Sequence, residues 1–164
     1  MAREDDFLTI LRLLNEAEID YVVIGGVAMA IHGSSKDTFD LDVIYRRTRE
    51  QATRIAEALS ALHPRPRGLP PELPFRWDGL SFLNNTIGTY ETDAGDLDFL
   101  AEAEGSGGYD NISRNAHVFD FGDLSVRVAS LQDLLNMKRA AGRSKDDVHI
   151  SELEDWLAQE SEQS

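Results

Sequence analysis

One stretch, from Tyr21 to Tyr45, limits what this chain can fold into more than any other. The run Tyr21–Ile24 is short, apolar and rich in β-branched residues, and Gly25-Gly26 follows it directly. This pattern is typical of a buried strand that ends in a tight turn. The alanine-rich apolar segment after the turn favours a helix, which Gly33 is placed to end. The sequence therefore predicts a strand, a turn and a helix in immediate succession.

Two aspartates lie on the strand that is predicted next. Polar and apolar residues alternate from Asp40 to Ile44, so a strand would direct Asp40 and Asp42 to one face and their apolar neighbours to the other. Two carboxylates this close repel each other unless a positive charge lies between them. A divalent cation that prefers oxygen ligands satisfies both, so the pair predicts a Mg²⁺ site.

The glycine pair before the helix carries a second chemical signal. Glycine lets backbone N–H groups come close to a ligand, and the dipole at a helix N-terminus favours negative charge. The pair Gly25-Gly26 therefore predicts a phosphate site. Either signal alone is weak, because most glycine pairs are plain turns and many Asp-x-Asp segments are solvated strand faces. The two together, in this order, are much more specific.

These motifs resemble the nucleotidyltransferase-fold superfamily, the DNA polymerase beta-like group, and within it the small bacterial nucleotidyltransferases that include the abortive-infection toxin type. The matching segments are Gly25-Gly26, His32-Gly33-Ser34-Ser35 and Thr38-Phe39-Asp40-Leu41-Asp42-Val43. The resemblance implies an α/β (α+β) fold with a small mixed β-sheet flanked by helices. It also implies three strand-borne carboxylates that hold two Mg²⁺ ions, and Asp40 and Asp42 match the first two.

A second Asp-Leu-Asp segment offers the third carboxylate that the resemblance implies. The segment from Gly95 to Leu100 repeats the alternation of the first pair, with Asp96 and Asp98 on one face of a predicted strand. Asp98 is favoured because apolar residues flank it on both sides, whereas Asp96 follows a glycine. Asp96 points to the same face and remains the alternative.

The resemblance also implies residues that meet a nucleoside triphosphate. Gly25, Gly26 and Ser35 would cradle it, and Lys36 stands near a place where these proteins often carry arginine. The segment from Asn136 to Asp146 is similar to a C-terminal segment of the same proteins whose basic residues lie near the triphosphate. This implies three further contacts, from Lys138, Arg143 and Lys145. The alternative is a helix C-terminus that collects favourable cations.

The rest of the chain predicts helices around this centre. Helical periodicity covers residues 5–17, 48–62, 131–141 and 151–159, a strand is predicted over 81–87, and strands over 117–121 and 124–128 form a hairpin. The segment from His63 to Trp77 holds all five prolines and is predicted to be a loop without regular structure. Its arginines, Arg65, Arg67 and Arg76, suit either a mobile connection or a loop over an anionic substrate.

Composition limits the class of protein. The length of 164 residues and 41% hydrophobic content suit one domain, predicted over 1–160, with an acidic polar tail over 161–164. The absence of cysteine excludes disulfides, thiolate metal sites and a cysteine nucleophile. The apolar runs are too short to span a membrane and the start is acidic, so we expect a cytoplasmic protein. A net charge of −14 opposes nonspecific attraction to nucleic acid.

The sequence thus predicts a Mg²⁺-dependent nucleotidyltransferase that moves a nucleoside monophosphate from an NTP, with ATP among the candidates, to an acceptor hydroxyl. The acceptor stays open between a tRNA end, a protein side chain and a small molecule. The alternative is a catalytically inactive binding module of the same fold, such as a toxin-antitoxin component with a partner protein. Asp40, Asp42 and Asp98 are the predicted catalytic and metal-binding residues in the first case.

Overall fold

A computed structural model describes residues 4–163 as a mixed seven-stranded sheet flanked by helices. The helices are Glu4–Glu16 (α1), Gly25–His32 (α2), Arg49–Leu59 (α3), Gly79–Leu83 (α4), Tyr109–Asn115 (α5), Leu131–Ala141 (α6) and Asp147–Gln163 (α7). The strands are Tyr21–Ile24 (β1), Asp40–Tyr45 (β2), Arg65–Pro66 (β3), Ile87–Thr92 (β4), Gly95–Leu100 (β5), His117–Phe121 (β6) and Leu124–Val128 (β7). Short 3₁₀ turns lie at Ser60–Leu62 and Ser144–Asp146.

The sheet has the strand order β3-β4-β5-β2-β1-β7-β6. Strand β2 pairs in parallel with β5, and β1 pairs in parallel with β7, whereas the other neighbours are antiparallel. The predicted mixed sheet flanked by helices is therefore confirmed. Because β2 and β5 are central and adjacent, the two Asp-Leu-Asp segments lie side by side.

Local sequence signals position the elements around that centre. All four residues of β1 are buried, as the apolar run predicts. Thr48 caps α3 by accepting a hydrogen bond from the Gln51 N–H, and Ser130 caps α6 by accepting one from the Asp133 N–H. Gly33 follows α2 with φ +123°, a conformation that glycine adopts without steric cost. The predicted helices around the sheet and the hairpin of β6 and β7 are confirmed.

Helix α1 covers the sheet with one apolar face. Ile10, Leu11 and Leu14 are at most 1% exposed. Burial of each such side chain is worth about 1.5–3 kcal/mol, so this face alone fixes the helix on the sheet. No helix within residues 4–163 is long and apolar enough to cross a membrane.

The strand predicted over 81–87 is wrong, because this region holds the end of helix α4 and the loop that leads to β4. Asp78 caps α4 by accepting a hydrogen bond from the Ser81 N–H at 2.8 Å. Phe82 is buried against Trp77 and Phe99. One cap and one buried aromatic residue fix this short helix, and neither gives the long period that marks a helix in a sequence.

The expectation of a segment without regular structure over 63–77 is also wrong in part. The two-residue strand β3 lies within it and pairs with β4, which makes β3 the edge of the sheet. Proline is tolerated at such an edge, where its missing N–H costs no ladder bond. The last helix, α7, begins at Asp147 and ends at Gln163, so it is longer at both ends than predicted.

Candidate active site

Four aspartates form two rungs on one face of the sheet. In the parallel pairing of β2 with β5, Asp40 lies opposite Asp96 and Asp42 lies opposite Asp98. Paired residues of neighbouring strands point to the same face, so all four carboxylates share it. The apolar residues that alternate with them, Leu41 and Leu97, are fully buried on the other face.

The inner rung, Asp42 with Asp98, is a coupled pair of acids. Burial is the main cause that raises the pKa of Asp42, to about 8, and the charges of Asp98 and Asp40 add to it. A side-chain hydrogen bond to Asp98, whose side chain is 18% exposed, raises the pKa of Asp42 further. The outer carboxylate Asp96 is more open, at 39%. Asp98 is thus the aspartate of β5 that meets Asp42, and Asp96 lies beside Asp40.

The glycine pair lies directly against this rung. Ile24, the last residue of β1, pairs with Asp42, and Gly25 follows with φ +68° as the first residue of α2. A Cβ on Gly25 would be 2.3 Å from Asp42 Oδ2, and one on Gly26 would be 2.6 Å from Thr38 Oγ1. At Gly25, only glycine fits both the close approach and the positive φ, and at Gly26 the close approach alone favours glycine. The pair therefore starts the helix itself and brings its N-terminus beside the carboxylates.

A cavity of about 300 Å³ opens beside the inner rung. Its lining includes Gly25, Asp42 and Asp98 together with Lys138 and Arg143. The cavity thus joins the predicted carboxylates to two of the predicted triphosphate contacts. It also has an apolar part and two further acids, formed by Ile24, Ile87, Leu100, Glu102, Ala103, Glu104, Leu134, Met137 and Ala141.

Asp146 orients the two cations of the cavity. Lys138 Nζ lies 3.1 Å from Asp146 Oδ1, and Arg143 Nε lies 2.8 Å from Asp146 Oδ2. Asp146 is buried, and the hydrogen bonds from both cations outweigh the effect of burial, so its pKa is lowered. Its carboxylate fixes where both positive groups point. This role of Asp146 was not predicted from the sequence, although a carboxylate directly after a basic run indicates a possible ion-pair partner.

The other predicted triphosphate contacts lie outside the cavity lining. Gly26 lies against the Thr38 side chain, and Ser35 is exposed. Lys36 Nζ donates a hydrogen bond to the Lys145 carbonyl oxygen at 2.5 Å. That bond ties the loop after α2 to the 3₁₀ turn before α7. His32 Nε2 lies 2.9 Å from the Ala129 carbonyl oxygen, which is a structural contact.

Arg67 is a site residue that the sequence analysis missed. It follows β3, and its Nη2 donates to Asp98 Oδ1 at 2.7 Å, while its Nε lies 3.5 Å from Asp96 Oδ2. Burial is the largest single effect and lowers the pKa of Arg67. The hydrogen bond to Asp98 and the attraction to nearby carboxylates together outweigh it, so the pKa is raised. The positive charge of its segment is evident from the sequence. No local pattern, however, pairs Arg67 with a strand that begins 28 residues later, at Gly95.

Within residues 4–163, no group of three His, Cys, Asp or Glu side chains converges closely enough to hold a metal ion. Two contacts account for the present arrangement: Asp42 is hydrogen-bonded to Asp98, and Arg67 is paired with Asp98. The donor set nevertheless fits a hard divalent cation, since carboxylate oxygens are the ligands that Mg²⁺ prefers. Burial and the nearby charges of Asp98 and Asp40 raise the pKa of Asp42, and a cation at this position would favour its ionised form.

No protein-family model matches the chain, and no curated protein matches it. Solved structures do match it. The lincomycin-bound lincosamide antibiotic adenylyltransferase LnuA aligns with a TM-score of 0.62 at 15% identity, over 93% of this chain and 97% of its own. A Thermotoga maritima protein assigned as a nucleotidyltransferase aligns with a TM-score of 0.56 at 15% identity, over 97% and 96%.

A third structure, ANT(2")-Ia in complex with adenylyl-2"-tobramycin, aligns with a TM-score of 0.54 at 16% identity, over 92% of this chain and 87% of its own. At identities this low, the structural alignments establish the fold alone, and the chemistry has to be argued from the site. Since each match covers nearly the whole of both chains, the chain has the nucleotidyltransferase fold.

Proposed function

We propose that the protein is a Mg²⁺-dependent nucleotidyltransferase that transfers a nucleoside monophosphate from an NTP to an acceptor hydroxyl. The observation that carries the proposal is the inner rung: Asp42 and Asp98 are paired across neighbouring strands at a cavity that Lys138 and Arg143 also line. A nucleoside triphosphate needs both a cation site and a positively charged wall. Among the similar folds, LnuA is named an antibiotic adenylyltransferase and the Thermotoga maritima protein is assigned as a nucleotidyltransferase, and both names support the same reaction class.

Asp40, Asp42 and Asp98 would hold the metal. When bound, Mg²⁺ supplies Lewis-acid stabilisation of the phosphates and lowers the pKa of the acceptor hydroxyl. The raised pKa of Asp42 fits this role, because a cation beside it would displace its proton and relieve its repulsion from Asp98. Asp98 would then be free to accept the proton of the acceptor hydroxyl.

The chain's own groups would position the triphosphate. Gly25 lets the backbone approach, and the N-terminus of α2 favours the negative charge. Lys138 and Arg143, fixed by Asp146, would offset that charge. We propose as outer contacts the four predicted residues that lie beyond the lining, which are Gly26, Ser35, Lys36 and Lys145.

For the acceptor we propose a small molecule, ahead of a tRNA end or a protein side chain. LnuA and ANT(2")-Ia are named with lincomycin and adenylyl-2"-tobramycin, which are small-molecule ligands. The net charge of −14 and the position of Glu102 and Glu104 in the cavity lining favour an acceptor with positive charge. We also propose a cytoplasmic location and an abortive-infection role with a toxin-antitoxin partner protein.

Calorimetric titration of each NTP with Mg²⁺ tests the proposal. The wild type should bind at least one NTP only when Mg²⁺ is present, and the double variant Asp40→Asn/Asp42→Asn should bind none. The matched control is Asp120→Asn/Asp123→Asn, which removes the same charge from the β6–β7 hairpin and should bind as the wild type does.

The NTP that binds is then used with an α-phosphate label, and transfer is followed in pools of small molecules, tRNA and protein. Folded wild type that binds no NTP would refute the proposed reaction. That result would instead favour the catalytically inactive binding module of the same fold.

A further inference from the structure

Arg67 reaches the carboxylate rungs from the edge of the sheet. The Arg67 N–H donates to the Thr89 carbonyl oxygen at 2.9 Å, directly after the pairing of β3 with β4. Thr89 in turn lies opposite Asp98 in the pairing of β4 with β5. The Arg67 side chain therefore crosses β4 and meets the face on which the carboxylates lie. A backbone hydrogen bond and a paired strand fix where it starts.

The guanidinium contacts both aspartates of β5. One nitrogen lies 2.7 Å from Asp98 Oδ1 and another lies 3.5 Å from Asp96 Oδ2, and the Arg67 side chain is 32% exposed. The contact with Asp98 is a hydrogen bond, whereas the Arg67 Nε beside Asp96 has no hydrogen-bond partner among the described residues, so Asp96 is attracted by charge alone. Within the described residues, no ion pair joins Arg67 to Asp40 or Asp42.

This division leaves the four carboxylates with unequal needs. The two on β5 have a fixed positive partner that cannot lose its charge, since arginine stays protonated at any physiological pH. The two on β2 have no ion-pair partner among the described residues, and the charges of Arg67 and Lys138 act on Asp40 and Asp42 only from beyond ion-pair distance. A divalent ion coordinated by Asp98 would lie beside a fixed positive charge and be repelled by it. An ion held by Asp40 and Asp42 would instead offset the negative charge of two carboxylates that have no ion-pair partner.

We propose that the site takes one divalent cation, on the side of Asp40 and Asp42, and that the Arg67 guanidinium on Asp98 and Asp96 supplies the second positive charge. The inference rests on the proposed function, because it divides the cations of that same site. It differs from the two Mg²⁺ ions that the sequence resemblance implies, and it narrows the metal-binding set proposed above from Asp40, Asp42 and Asp98 to Asp40 and Asp42. Asp98, held by Arg67, then serves as a proton acceptor and as a fixed wall of the cation site.

Counting bound Mn²⁺ tests the inference without reference to turnover. Mn²⁺ is titrated into the protein with a saturating α,β-methylene analogue of the NTP that the calorimetry identifies, and free Mn²⁺ is measured by electron paramagnetic resonance. The wild type should bind one Mn²⁺ per chain. Arg67→Ala should bind two, because Asp98 and Asp96 lose their partner, and Arg67→Lys should stay at one.

Arg76→Ala is the matched control, because it removes the same charge from the same proline-rich segment. Arg76 pairs with Asp78, away from the rungs, and its side chain is 88% exposed, so this variant should still bind one Mn²⁺. Thermal melting of each variant establishes that it is folded before ions are counted.

Two results would overturn the inference and leave the proposed function in place. Wild type that binds two Mn²⁺ would mean that Arg67 leaves Asp98 when metal arrives. Folded Arg67→Ala that still binds one would mean that the guanidinium does not stand in for an ion. Failure of the proposed function is distinguishable from both, since the wild type would then bind no NTP in the calorimetry.

Discussion

Replacing Asp42 with asparagine should change how the stability of the protein depends on pH. Burial and the neighbouring acids raise the pKa of Asp42 to about 8, from 3.8 for an unperturbed aspartate. The folded protein without metal therefore holds a proton on Asp42 at a pH where the unfolded chain does not. Asparagine fills nearly the same space and carries no titrating proton, so it isolates this effect.

The sign and size follow from proton linkage. Because the folded-state pKa of Asp42 lies above the unfolded value, its contribution is full below pH 3.8 and is lost as the pH rises toward 8. Between about pH 5 and 7 the folded state holds roughly one more proton, and the free energy of unfolding of the wild type falls by about 1.4 kcal/mol per pH unit from this group. The advantage of Asp42→Asn should thus grow by roughly 3 kcal/mol across that range.

Urea unfolding at pH 5, 6 and 7, in buffer with a chelator, measures this difference by linear extrapolation. Every other titrating group is common to both proteins, so the change in the difference with pH reports Asp42 and its partner alone. Asp123→Asn is the control: Asp123 is exposed, Arg12 lowers its pKa, and the curve should run parallel to the wild type over this range. An Asp42→Asn curve that also runs parallel would refute the account of the inner rung.

Two further changes test the frame around the rung. Gly25→Ala should lose at least about 2 kcal/mol of stability, and NTP binding with it, because its Cβ would meet Asp42 Oδ2 at 2.3 Å on top of the strained positive φ. Gly33→Ala, with positive φ but no atom within 4 Å, should cost about 1–3 kcal/mol from backbone strain and keep NTP binding, as urea unfolding and calorimetry would show. Lys138→Ala should cost about 3 kcal/mol in urea unfolding, because it leaves the buried Asp146 with one cation fewer; a cost under about 1 kcal/mol would contradict a structural role for that pair.

The sequence predicts the centre of the fold well because its signals there are local. The strand β1, the helix α2 and the strand β2 each follow from a short pattern that needs no partner to be recognised. The family resemblance implies a third carboxylate on a neighbouring strand, and the register of β2 with β5 places Asp98 opposite Asp42. The choice of Asp98 as the third carboxylate stays a prediction.

The edge of the sheet could not be predicted in the same way. Helix α4 depends on a cap at Asp78 and on Phe82 packing among aromatic residues from other elements, so a short apolar run was mistaken for a strand. Strand β3 exists only because β4 pairs with it. Arg67 reaches Asp98 only when both of these edge strands are in place, and no sequence period records a contact of that kind.

The same contacts bear on whether the fold is an enzyme or an inactive module. Four carboxylates share one face of β2 and β5, while the residues that alternate with them are fully buried and apolar. An apolar pair in place of the inner rung would remove the repulsion between Asp42 and Asp98 and would stabilise the protein. A module that only needs to fold gains nothing from that repulsion, whereas a cation site requires it. If Asp42→Asn stabilises the metal-free protein as predicted and also abolishes Mg²⁺-dependent binding of NTP, the two results together locate the function in the rung itself.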